Sequence, residues 1–312
     1  MQPLFSQWLP RACLLLAMLL WASSFVALKI AFRSYDPMVV MFGRMAVASV
    51  CLFVAVPRLR GLPYRRSDVP YFAFMVLCEP CLYFLFEAKA LENTSASQAG
   101  MITAILPLMV AVGARIFLKE RITQRTVMGF LLAIAGVCWL TAGARVSSEA
   151  PHPILGNIYE FLAMVCATGA MVTLKHVTYR YPPLLVTALQ AWVGCLFFFP
   201  FLALPSTELP TALDPTATAA VLYLGAFITL GAYGLFNFGA SRIPVSQASA
   251  FVNLIPVFSV LLGWLILGER FTSVQYMAAA LVFTGIAVSQ DTGPQGERPG
   301  PRPQRMLRLG SR

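Results

Sequence analysis

The chain alternates long apolar stretches with short polar connections. A membrane-spanning helix needs about 20 mostly apolar residues, and ten stretches of roughly that length are predicted as spans. They cover residues 11–32, 37–57, 69–91, 96–118, 125–143, 155–177, 183–204, 216–240, 245–267 and 273–290. Because the connections are short, neighbouring helices are expected to run antiparallel. The pattern predicts an all-α membrane protein with a short N-terminal segment, 1–10, and a disordered basic tail, 291–312.

Composition strengthens this prediction. Hydrophobic residues make up 58% of the 312 residues and charged residues 12%, and the mean hydropathy is +0.73. Soluble domains carry about 25% charged residues, so this chain has too few charges to cover a soluble surface. A soluble enzyme, a disordered regulator and a secreted disulfide scaffold are therefore excluded. The seven cysteines lie in apolar stretches and only two histidines occur, so neither disulfides nor a metal site is expected.

Positive charges are distributed unevenly around the predicted spans. With the N-terminus inside, 15 of the 23 Lys and Arg residues lie on the inner side, three on the outer side and five within spans. Short loops rich in Lys and Arg stay in the cytoplasm. The sequence therefore predicts a multi-pass protein of the cell inner membrane with both termini cytoplasmic. The first span is too long for a signal-peptide core and is expected to stay uncleaved.

The two halves of the chain share sequence elements. Identities recur at a constant spacing of 149 residues and pair Ser97-Gln98-Ala99 with Ser246-Gln247-Ala248, Pro107 with Pro256, Glu120-Arg121 with Glu269-Arg270, and Gly136 with Gly285. The repeats are residues 11–143 and 155–290, joined by an outer loop at 144–154. Each repeat holds five spans, an odd number, so the second enters the membrane from the opposite side. Inverted repeats around a midplane site are typical of transporters.

Charged side chains inside the spans are the first candidates for a functional site, because burying them in a bilayer is costly. Glu79 lies near the middle of the third span beside Pro80, which is predicted to kink the helix. It is a candidate proton-coupling carboxylate. Glu87 lies about 12 Å nearer the outer face by helix rise. Four more charged residues lie at similar outer depths in their spans: Lys29, Arg44, Lys89 and Glu160. Opposite charges at one depth favour an ion-paired gate, with Glu87, Lys29 and Arg44 as candidates.

Prolines and aromatic residues supply further candidates. Pro107 and Pro256 occupy matching mid-span positions in the two repeats. A mid-helix proline provides a bending point and frees carbonyl groups, so both, with Pro80, are candidate hinges. The aromatic residues Trp21, Tyr83 and Tyr233 are candidates for the wall of a substrate cavity.

Several elements together resemble a known transporter family. The first span carries Trp21-Ala22-Ser23-Ser24-Phe25 followed by Lys29, and the third ends in Phe86-Glu87-Ala88-Lys89. The fourth and ninth spans carry the matching elements Leu106-Pro107 to Arg121 and Ile255-Pro256 to Arg270. These elements resemble the EamA-type members of the drug/metabolite transporter superfamily. The resemblance implies a ten-helix carrier with spans 1–4 and 6–9 around a central cavity and spans 5 and 10 at the periphery.

The resemblance also implies a function, since family members mostly export amino acids and other small metabolites. We expect a secondary active transporter that exports a small polar metabolite, and no cofactor, because no ATP-binding loop motif occurs. Import or exchange of a vitamin, sugar or nucleotide-like molecule stays open, as does an intramembrane enzyme or receptor, although no acid–nucleophile cluster favours an enzyme. The expected partners are a small-molecule substrate and the lipid bilayer, not nucleic acid, and a homodimer stays open.

Overall fold

A computed structural model describes residues 5–53, 65–117, 123–177, 180–240 and 251–289. Within these ranges the chain is almost entirely helical, and no β-strand is formed. The helical stretches in the described residues number ten. They are α1 Phe5–Phe32, α2 Pro37–Phe53, α3 Arg66–Asn93, α4 96–117, α5 Gln124–Ala142, α6 Pro153–Val177, α7 183–203, α8 215–240, α9 Ile255–Leu267 and α10 Ser273–Ser289.

Seven of these helices are long and apolar enough to cross a membrane, namely α1 and α3 to α8. The other three, α2, α9 and α10, are apolar but shorter within the described residues. The predicted spans 37–57 and 245–267 continue into ranges that the structure does not describe. The repeat elements at 118–121 and 246–248 and the predicted tail at 291–312 lie outside the described residues. The multi-pass membrane class follows from the seven long helices.

Most of the helix ends that the structure describes agree with the predicted spans, but the starts of α1 and α9 differ, since α9 begins at Ile255 after a turn at 253–254. Helices α3 and α5 to α8 begin and end within three residues of the prediction. Helix α1 instead begins at Phe5 and runs through Pro10, so part of the predicted N-terminal segment is helical. Polar caps fix several starts: Ser95 accepts from the Gln98 backbone N–H, and Asp214 accepts from the Ala217 N–H at 2.7 Å. Such caps satisfy amide groups that have no partner inside the helix.

Helices α3, α4 and α8 are interrupted along their length, and a turn lies directly before α9. In α3, a widened turn spans Leu77–Leu82, and Glu79 has non-helical backbone angles beside Pro80. In α8, the corresponding widened turn spans Leu224–Ala232. Helix α4 tightens to a 3₁₀ turn at Thr103–Ile105, just before Pro107, and a turn at 253–254 precedes Pro256. Both prolines thus occupy the first turn of a new helical segment, where proline is well tolerated.

The most extensive contacts between helices form a regular set. Helix α5 packs on α10, α2 on α7, and α4 on α9; α3 packs on α6, α1 on α8, α1 on α9, and α4 on α6. The set is unchanged when α1 to α5 are exchanged in order with α6 to α10. In the α5–α10 pair the backbones approach closely, because a Cβ on Gly285 would lie 2.6 Å from the Gly129 carbonyl oxygen. Glycine permits this contact between neighbouring membrane helices.

Hydrogen bonds between loops define two ends of the bundle. At one end, here called the Arg33 face, Tyr35 contacts Thr218 at 2.6 Å and the His152 amide donates to the Asn93 carbonyl. At the opposite end, here called the Arg65 face, the Arg65 amide donates to the Tyr181 hydroxyl. Asp68 completes that contact, with Arg180 at 3.3 Å and Tyr181 at 3.0 Å. The connections that these contacts involve therefore lie at two opposite faces of the bundle.

Candidate functional site

A central cavity of about 160 Å³ lies inside the bundle. Its lining residues come from α1 to α4, from α6 to α9, and from the residues just before α9; within the described residues, α5 and α10 contribute none. Most of the wall is apolar. Charged or aromatic lining residues that were candidates from the sequence are Trp21, Arg44, Glu79, Tyr83, Glu87 and Tyr233.

A buried ion pair forms one wall of the cavity. A guanidinium nitrogen of Arg44 lies 3.4 Å from a carboxylate oxygen of Glu87, and both side chains are about 4% exposed or less. The guanidinium also lies 4.1 Å from the Phe84 ring centre, within cation–π range. Tyr83 donates a hydrogen bond of 3.1 Å to the other Glu87 oxygen. The Nε of Arg44 has no hydrogen-bond partner among the described residues. The guanidinium can therefore donate a further hydrogen bond to an anionic partner.

Glu79 forms a second polar centre in the same cavity. Glu79 lies at the interruption of α3, where its backbone angles are not helical. The Tyr233 hydroxyl donates to its carboxylate at 2.6 Å, and the Gln190 side-chain amide donates to its backbone carbonyl at 3.2 Å. Glu79, Pro80 and Tyr233 also line an adjoining space of about 20 Å³, which is enough for a water molecule. The carboxylate is therefore accessible to a small cation or a proton.

Aromatic rings close the cavity beside Glu79. Trp21 packs edge-on against Tyr233 at 5.3 Å between ring centres and against Phe236 at 5.2 Å. On the α6 side, the cavity is lined by alanine, methionine and leucine side chains, namely Met164, Ala167, Ala170, Met171 and Leu174. The wall is thus aromatic beside Glu79 and aliphatic along α6.

Lys29 does not join the ion pair that its depth suggested. Its ammonium group donates to the Glu149 backbone carbonyl at the Arg33 face, and the side chain is 6% exposed. Lys89 instead pairs with Glu92 at the helix surface, at 2.7 Å. The expected cluster of Glu87 with Lys29 and Arg44 was therefore wrong for Lys29. The reason is that residues at one depth can point in different directions around their helices.

Pro107 and Pro256 do not line the cavity, but each directly follows a lining residue, Leu106 or Ile255. A bend at either proline would therefore move the cavity wall.

Contacts at the Arg33 face were not predicted from the sequence. The two carboxylate oxygens of Glu269 accept hydrogen bonds of 2.8 Å from the backbone amides of Ala96 and Ser97, at the start of α4. Arg33 pairs with Glu149 at 3.1 Å. The repeat element around Glu269 was the available signal, but nothing in the sequence indicated its partner. These contacts join the two halves at this face.

A buried polar cluster on α6 was also missed. Asn157 accepts from Thr94 at 2.7 Å and donates to Gln98 at 3.0 Å and to Thr141 at 3.2 Å. One turn along α6, Glu160 is completely buried and neither carboxylate oxygen has a hydrogen-bond partner among the described residues. Polar residues within apolar stretches were the signal for this cluster.

Comparison with known proteins places this architecture among transporters. The model of the EamA-like transporter family matches residues 11–142 and 154–289. The chain is 26% identical to the uncharacterized transporter YetK of Bacillus subtilis over 253 residues, 79% of this chain and 76% of that protein. It is 25% identical to a protein named "probable terminal-alkyne amino-acid exporter" from Streptantibioticus cattleyicolor, covering 88% of this chain and 90% of that protein. A solved structure titled "Crystal structure of protein" has a TM-score of 0.62 and 20% identity, covering 91% and 97% of the two chains, so it shows a shared fold.

Proposed function

Because the chain belongs to the EamA-like transporter family, we propose that it is a secondary active carrier that exports a small amino acid by alternating access. The observation that carries this proposal is the combination of Arg44, Glu79 and an apolar wall in one cavity. A zwitterion needs a cation for its carboxylate and an anion for its ammonium group. Arg44 and Glu79 supply these two partners, and the apolar wall suits an apolar side chain.

The size of the cavity favours a small substrate. An engineered cavity of about 150 Å³ holds one benzene molecule, and this cavity has about 160 Å³. Pockets for drug-sized ligands are larger, about 300–1,000 Å³. A nucleotide-like molecule would therefore need a much wider site, whereas an amino acid the size of valine matches the space. The named amino-acid exporter among the relatives supports the same substrate class.

We further propose that the two halves form an inverted repeat and exchange conformations during transport. The symmetric set of helix contacts supports this. So do the widened turns of α3 and α8, at matching positions beside the cavity. Carriers commonly build their sites from such interrupted helices. In this arrangement Pro107 and Pro256 are hinges, and the hydrogen bonds at the Arg33 face close one side of the cavity.

Counterflow into liposomes tests the substrate class. Vesicles that contain the purified protein and unlabelled valine are diluted into labelled valine, valinamide or isobutylamine. We expect labelled valine to accumulate, and at least about tenfold less of the two analogues, since each lacks the carboxylate and so its charged hydrogen bond to Arg44. The same assay is run with a sugar and with a nucleoside, each unlabelled inside the vesicles and labelled outside. Accumulation of either of these without any amino acid would contradict the proposal.

The topology proposal places the Arg33 face outside the cell and both termini in the cytoplasm. Reporter fusions at Ser95, Glu149 and Glu208 should give an outside signal, and a fusion at Tyr181 an inside signal. We expect this orientation because the loops at the other face carry the excess of Lys and Arg, and such loops stay in the cytoplasm. Fusions before and after residue 150 act as mutual controls. A reversed pattern in the second half alone would show that the repeats are not inverted.

A further inference from the structure

Glu160 is the buried ionisable residue whose surroundings are not explained by the proposed site. It is completely buried, both carboxylate oxygens are without a hydrogen-bond partner among the described residues, and it does not line the cavity. An ionised carboxylate without hydrogen bonds in an apolar interior is very costly. A neutral carboxylic acid tolerates the position far better, although its O–H still lacks an acceptor. A neutral Glu160 would therefore be a hydrogen-bond donor that has no acceptor among the described residues in this conformation.

The packing of α3 against α6 identifies that partner. The two helices are antiparallel, and a Cβ on Gly156 would lie 2.9 Å from the Ala90 carbonyl oxygen, while one on Gly169 would lie 3.1 Å from the Cys78 sulfur. These two contacts fix the register and place Glu160 opposite residues 86 and 87. Stacking of Phe86 on Tyr159, at 6.3 Å between ring centres, confirms the register.

Charges near Glu160 also point to Glu87. Helices α3, α4 and α5 pack against α6. The stretch of α3 that lies opposite Glu160 carries the Glu87 carboxylate, and Tyr83 lies one turn before it. Tyr83 already donates to Glu87. The Arg44 guanidinium balances a single carboxylate, so a second negative charge beside Glu87 would be uncompensated.

We propose that Glu160 is a proton-carrying partner of Glu87, and that its O–H takes the place of Arg44 when Arg44 turns to a substrate carboxylate. In this exchange the Arg44–Glu87 ion pair breaks, and a hydrogen bond forms from the neutral Glu160 acid to the Glu87 carboxylate. No proton leaves the pair. Two carboxyl groups that share one proton are a stable arrangement at close range. The second part of the proposal rests on the proposed function, whereas the protonation of Glu160 does not.

The difference between the infrared spectra of wild type and of each variant tests the protonation of Glu160 directly in the full-length protein. At mildly alkaline pH, the wild-type protein in liposomes should show the C=O band of a protonated carboxyl group. Glu160→Gln should remove the part of this band that comes from Glu160, and Glu92→Gln, which changes a surface carboxylate, should leave the band in place. A band that is unchanged in Glu160→Gln would overturn the proposal, whatever substrate the carrier transports.

Substrate binding tests the exchange of partners. Glu160→Gln keeps a hydrogen-bond donor, whereas Glu160→Met fills the same space without one. Valine, as the probe, should bind Glu160→Gln within about threefold of wild type, and Glu160→Met about tenfold or more weakly, as expected for loss of a hydrogen bond to a charged acceptor. Unfolding temperatures in detergent check that both variants fold. Equal valine affinity in folded Glu160→Met and wild type would refute the partner role; equal loss in both variants would refute it as well.

Discussion

A Glu79→Gln variant is expected to lose proton-driven accumulation of substrate and to keep substrate-for-substrate exchange within about tenfold of wild type. We propose that a proton and the substrate ammonium group compete for the Glu79 carboxylate during the transport cycle. Release of the substrate allows protonation, and loss of the proton allows the next substrate to bind. Glutamine keeps the size of the side chain and can still bond to Tyr233, but it cannot take up a proton. The measurement is flux after a pH jump in liposomes.

Two variants separate this role from a structural one. Tyr233→Phe removes the 2.6 Å hydrogen bond to Glu79 and leaves the carboxyl group, so transport should change in rate and in the pH of half-maximal activity but should still depend on pH. Glu92→Gln changes a carboxylate that is paired with Lys89 at the surface and should behave as wild type. If Glu79→Gln retained the wild-type pH dependence, Glu79 would be a structural residue and the coupling site would lie elsewhere.

An Arg44→Met variant is expected to lose substrate binding and much of its stability. The substitution removes the partner of the substrate carboxylate and leaves the buried Glu87 carboxylate without its cation, with only neutral donors to stabilise it. Removing one partner of a buried ion pair costs about 3–5 kcal/mol, and protonation of Glu87 would reduce that figure. The unfolding temperature in detergent and valine affinity measure the two effects. As a control, Arg33→Met breaks an exposed pair and should cost under about 1 kcal/mol.

The double variant Arg44→Met with Glu87→Met distinguishes stability from function. Apolar replacement of both members of a buried pair is often neutral or stabilising. The double variant should therefore regain most of the lost stability and still fail to bind valine. A folded double variant that transported valine at the wild-type rate would show that the pair is structural.

Much of the fold could be predicted because hydropathy directly reports where helices cross a bilayer. The ends of α3 and α5 to α8, and the interruption at Pro80, followed from apolar length and proline chemistry. The start of α1 did not, because Trp8 and Leu9 precede Pro10 and the helix continues through that proline. A proline near a helix start is tolerated, so the sequence leaves its position in the helix open.

The site was harder to predict, because apolar residues cover both the lipid-facing and the inward-facing sides of a membrane helix. Depth along a span follows from residue number, but direction around the helix does not. Arg44 and Glu87 share a depth and meet; Lys29 shares that depth and points to Glu149 instead. Glu269 forms its contacts with backbone amides at the start of α4, and backbone groups carry no sequence signal.

The Glu269 cap on α4 has a consequence for the speed of the cycle. When the Arg33 face opens, two backbone amides must exchange a carboxylate for water, and the carboxylate is hydrated in turn. Hydrogen bonds to a charged group contribute about 1.5–3 kcal/mol each, so the two together would favour the closed state by about 3–6 kcal/mol. The open state would then be a small minority in the absence of substrate. Fast turnover would require that substrate binding supply this difference.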